Sequence, residues 1–74
     1  MEIVVNRNPC KALDVRIEYG KFYNQYLYFI EVKCDTGKFF YENVIIDVFK
    51  SAEDAIKRYE YLKDNINSDL VIER

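Results

Sequence analysis

Histidine and tryptophan are both missing from this 74-residue chain, and glycine (two), proline (one) and cysteine (two) are scarce. Without histidine the chain lacks the commonest general base, the commonest metal ligand and the usual switch near neutral pH. Cys10 and Cys34, with no C-x-x-C pair and no imidazole, fall short of a tetrahedral zinc set, so no metal site is expected. With no signal peptide recognised, both are read as reduced cytosolic thiols, Cys34 as a small core residue. No apolar run exceeds Tyr26–Ile30, against the ~20 residues that span a bilayer, so a soluble, cytoplasmic protein is expected. No basic run is longer than Lys57-Arg58, whereas nucleic-acid binders usually carry a basic stripe. The net charge is −2; residues 1–50 hold seven charges of each sign, and the acidic excess lies in residues 51–74.

Half of the residues are hydrophobic and 32% are charged, which fits a single folded domain over residues 1–74. Glu2–Val5 is a short β-branched run, closed by the turn formers Asn6-Arg7-Asn8-Pro9. Leu13, Val15, Ile17 and Tyr19 alternate with polar residues or glycine, the period of a half-buried strand, and Gly20-Lys21 is read as the next turn. From about Phe22 to Cys34 a long strand sets Tyr26, Tyr28, Ile30, Val32 and Cys34 on one face. Its other face carries Leu27, Phe29, Glu31 and Lys33. Asp35-Thr36-Gly37-Lys38 reads as a hairpin loop with Gly37 at the positive-φ position. The strand from Phe39 to Phe49 sets Phe40, Val44, Ile46 and Val48 on one side and Phe39, Tyr41, Ile45 and Phe49 on the other. A bulge near Glu42-Asn43 would change that parity.

The spacing of Ala52, Ala55, Ile56, Tyr59, Leu62 and Ile66 predicts an amphipathic helix. Ser51 is its N-cap, and Asp54 supplies a carboxylate capping box. Glu53 and Lys57 form an i,i+4 pair, and Leu70-Val71-Ile72 returns to the sheet. The order β-β-β-β-α-β predicts an α+β fold of two layers, an antiparallel sheet of four to five strands with one helix on one face.

No catalytic residue emerges. Asp35-Thr36-Gly37 spells the aspartic-protease triplet, but one copy lacks the second aspartate of that chemistry, and a turn accounts for it fully. Gly37-Lys38 lacks the rest of a phosphate loop. Asp14, Glu18, Glu31 and Asp47 have no histidine or cleft to organise acid–base work and are read as solvated or salt-bridged. No cofactor is implied, and an enzyme is not expected.

Seven tyrosines and five phenylalanines remain to be placed. Most are needed for the core, yet a two-layer fold leaves one sheet face uncovered. Tyr23, Leu27, Phe29, Phe39, Tyr41 and Ile45 are expected there, with Tyr61, off the helix stripe, as a second contact. Such a face marks a partner surface or a homodimer seam.

Val48-Phe49-Lys50-Ser51-Ala52-Glu53-Asp54-Ala55, following a hairpin, resembles the strand-to-helix junction of integrase arm-type DNA-binding domains over residues 22–66. That resemblance implies a sheet face that reads DNA. In size, composition and lack of catalytic groups the chain also resembles the small α+β proteins of phages and mobile elements. These include anti-CRISPR and other anti-defence inhibitors, which implies action by binding. The leading expectation is a protein-binding module, an inhibitor blocking a host protein. A DNA binder using Arg7, Lys11, Arg16, Lys21, Lys33 and Lys38 comes second, and a signalling-nucleotide sponge with stacked tyrosines in a dimer cleft third.

Overall fold

The computed structural model describes residues 1–38 and 40–74. Five strands, β1 (Glu2–Val5), β2 (Asn8–Phe22), β3 (Gln25–Asp35), β4 (Tyr41–Phe49) and β5 (Val71–Glu73), form one sheet in the order β4-β3-β2-β1-β5. The helix α1 (Ala52–Asp64) packs against β2, β3 and β4, giving the expected α+β fold. The sheet is mixed rather than antiparallel, because β5 runs parallel to β1. Only a crossover can join β4 at one edge to β5 at the other, and α1 is that crossover. No helix among the described residues is long and apolar enough to cross a membrane.

Local chemistry sets the elements. Ser51 accepts a hydrogen bond from the Asp54 N–H at 3.3 Å, which starts α1 where the cap signal lies. Ala55 and Leu62 are fully buried, while Ile56, assigned to the stripe, turns half outward. Asp35 accepts from the Gly37 N–H at 2.9 Å and Gly37 takes φ +78, so the acidic triplet is a turn.

The turn between β2 and β3 is not at Gly20-Lys21. Strand β2 continues to Phe22, and Tyr23-Asn24 make a two-residue loop with Tyr23 at φ 52. Gly20 instead lies within β2 beside the Phe29 ring, which a β-carbon there would meet at an ordinary contact distance of 3.8 Å. At the other end Asn6-Arg7 turn alone, and Asn8-Pro9 already belong to β2. A bulge does change the parity of β4, but at Ile46 rather than near Glu42-Asn43. Ile30 pairs with Asp47 and Glu31 with Ile45, leaving Ile46 as the extra residue. Ile46 and Phe49 therefore face the helix, and Val48 faces out, the reverse of simple alternation.

The core comprises Ile3, Ala12, Val15, Ile30, Val32, Cys34, Ile46, Ala55 and Leu62 with their neighbours. Cys10 and Cys34 are not free thiols. The pairing of β2 with β3 brings their Cα atoms to 5.5 Å, within disulfide range, and they are bonded. Closing a loop of 24-residue separation restricts the unfolded chain. Replacing both cysteines by serine, or adding reductant, is expected to cost about 3 kcal/mol in urea unfolding at pH 7.

Candidate functional site

The sheet curls toward the helix. Straight, β2 would run about 50 Å at 3.3 Å per residue, yet the longest dimension of the molecule is 35 Å. A bulge at Leu13, between the pairs Ala12–Cys34 and Asp14–Lys33, bends the strand. The edges of the sheet meet at Asp47, whose carboxylate accepts from Arg58 Nε of α1 at 2.8 Å and from Arg74 Nη2, just past β5, at 2.6 Å. One side of the sheet thereby closes over the apolar core, and the other points outward.

That outer side carries most of the residues expected from sequence. Leu27 and Phe29 are half-buried on β3; Tyr41 and Ile45 on β4 are 60% and 54% exposed. Val48 and Phe22, not anticipated there, complete the patch, and Phe22 packs edge-on to Phe29 at 6.2 Å between centroids. Tyr23 lies not on the face but at the hairpin tip, 83% exposed. Phe39 falls outside the described residues. Tyr61 is on the opposite layer, 5.7 Å from the Arg58 guanidinium, in a shallow hollow with Phe49.

The β2–β3 hairpin projects past the helix. A 13-residue helix is about 20 Å long, and the far ends of β2 and β3 outrun it. Tyr19 and Tyr26, on the helix side by alternation, are therefore each 58% exposed and stack at 5.4 Å, with Tyr28 4.6 Å from Tyr19. Pattern reading places them in the core. The signal that finds them is length, a strand pair too long for the helix that covers it.

Charges pair within the surface. Arg16 donates to Glu31 at 2.6 Å and lies 3.5 Å from Glu18. The Lys33 ammonium sits 4.6 Å from the Tyr41 ring centre. Lys63, bonded to Asp14 at 3.1 Å, holds that carboxyl below the usual carboxylate range, helped by the Val15 N–H. A hollow of about 540 Å³ opens between Met1, Lys11, Asp35, Gly37, Asp69 and Leu70. No group of three or more acidic or thiol side chains suited to a metal occurs among the described residues. No protein-family model, curated protein or solved structure matches the chain.

Tyr23 combines a positive φ, which disfavours bulky L-residues, with high exposure. Tyr23→Gly is expected to raise stability by about 1 kcal/mol in urea unfolding. An unchanged or lower midpoint would show that the position carries no strain.

Proposed function

We propose that the chain is a non-enzymatic protein-binding module whose contact surface is the outer sheet face together with the projecting hairpin. Six apolar or aromatic side chains, Phe22, Leu27, Phe29, Tyr41, Ile45 and Val48, share the outer face, and Tyr23 extends it at the tip. The observation that carries the reading is Tyr23. An aromatic ring held in a strained turn, and contributing little burial to its own fold, fits selection for contact with something else. Tyrosine gives large contact area at low entropic cost.

Action by blocking a host defence protein, in the manner of phage-encoded inhibitors, is the specific form we propose. The bases considered for DNA contact support it indirectly. Arg16 is tied to Glu31, Lys33 covers Tyr41, Lys21 lies 6.0 Å from the Tyr26 ring, and Arg7 is at the opposite β-turn. Arg7, Lys11 and Lys38 are exposed, but toward the end of the sheet opposite Lys21, so the six do not line up as one continuous stripe of the kind phosphate binding uses.

Capture from host lysate with and without nuclease, read by mass spectrometry, is the direct test. One dominant protein retained after nuclease is expected. Tyr41→Ala and Tyr23→Ala should each weaken its binding about tenfold or more, with folding intact and Tyr61→Ala near wild type. Enrichment lost with nuclease would favour DNA instead. Equal binding by all variants would remove the surface from consideration.

A further inference from the structure

Strand β2 has a neighbour on both sides only through Lys11, where its pairing with β1 ends. From Val15 to Phe22 one edge lies against β3 and the other meets no strand among the described residues. The Ala12 N–H donates to the Met1 carbonyl on the β1 side. The extra residue at Leu13 shifts the alternation by one, so Val15, Ile17 and Tyr19 direct their peptide groups to the open edge. An edge of this length is a template for another strand unless something blocks it.

We propose that this edge is a homodimer seam, two copies pairing antiparallel about a two-fold axis at Ile17. A two-fold axis normal to the sheet keeps faces together, so an allowed register is centred on a residue. Centring at Arg16 opposes two arginines and sets Asp14 against Glu18. Centring at Glu18 opposes two glutamates, and centring at Tyr19 places Glu18 against Gly20 and Ile17 against Lys21. Centring at Val15 sets Asp14 against Arg16, but Asp14 is already held by Lys63 and the pairing would run onto the bulge at Leu13. Centring at Ile17 sets Arg16 against Glu18 twice within the regular part of the strand, on the face where Arg16 already holds Glu31 at 2.6 Å. These are non-hydrogen-bonded positions, in which opposed side chains come closest.

The other face of the seam then sets Ile17 on Ile17, with the exposed Tyr19 lying over the strand at Val15, whose own side chain is already buried in its core. Asp14, bonded to Lys63, falls opposite Gly20, which has no side chain to obstruct it. The pairing runs from Asp14 to Gly20 and leaves Leu27, Phe29, Tyr41, Ile45 and Val48 of the outer face free, while Phe22 passes beyond it beside Met1 of the second copy. Binding through β3 and β4 therefore stands or falls separately.

Sedimentation equilibrium of the full chain tests the proposal. Wild type is expected at twice its 8.9 kDa mass. Glu18→Arg and Arg16→Glu should each weaken dimerisation tenfold or more, while an equimolar mixture of the two regains wild-type affinity as a heterodimer. Hydrogen exchange read by NMR should show the Ile17 and Tyr19 amides gaining protection as concentration rises. Wild type that stays monomeric up to about 0.1 mM overturns the seam. So do dimers that persist in both variants, or Ile17 and Tyr19 amides whose exchange ignores concentration.

Discussion

Asp47 ties together elements that the sheet order places farthest apart. With strands spaced at 4.7–4.9 Å, β4 and β5 would lie about 19 Å apart in a flat sheet, more than an arginine and an aspartate side chain can jointly span. The contacts to Arg58 and Arg74, at 2.8 and 2.6 Å, therefore exist only because the sheet is curled. The bulge at Ile46 makes this possible. It turns Ile46 into the core and Asp47 toward the helix on successive residues, which alternation alone forbids. One residue thus joins β4, the helix and the segment beyond β5.

Curling divides the molecule's surfaces. On the concave side one helix suffices to cover the core, although it is shorter than the hairpin it lies on. On the convex side no helix or strand among the described residues packs over Leu27, Phe29, Ile45 and their neighbours, and the charges there neutralise one another instead of forming a field of one sign. The hairpin that outruns the helix exposes aromatic rings on both of its faces. A small domain that needs every large side chain for its own stability has little reason to leave so many rings in water, which is why we read the convex face as a contact surface.

Much of this was legible in the sequence. The helix, its Ser51 cap, the Gly37 turn and the division of β3 into a core face and a face with Leu27 and Phe29 follow from periodicity and turn chemistry. The direction of β5 and the disulfide did not, because both depend on where the crossover lands and how long strands pair, which no local pattern encodes. The Tyr23 turn was missed because a tyrosine holds a conformation that glycine or asparagine would signal. Tyr19 and Tyr26 carry a core pattern yet extend beyond the helix, a matter of relative lengths rather than residue type. Tyr61 reads as a helix residue off the apolar stripe, and it lies half-exposed on the helical layer, apart from the sheet residues.

Native-state hydrogen exchange on Asp47→Asn tests most directly whether this clamp holds the curl. The substitution keeps the shape and removes the charge that both guanidiniums share. The account predicts a loss of about 1–2 kcal/mol, given the partial exposure of all three side chains. The Arg74 N–H, bonded to the Val4 carbonyl, and the Asn6 N–H, bonded to the Arg74 carbonyl, should speed up before the amides of β3 do. Exchange that is unchanged at Arg74 and Asn6, or that rises uniformly across the sheet, would contradict it.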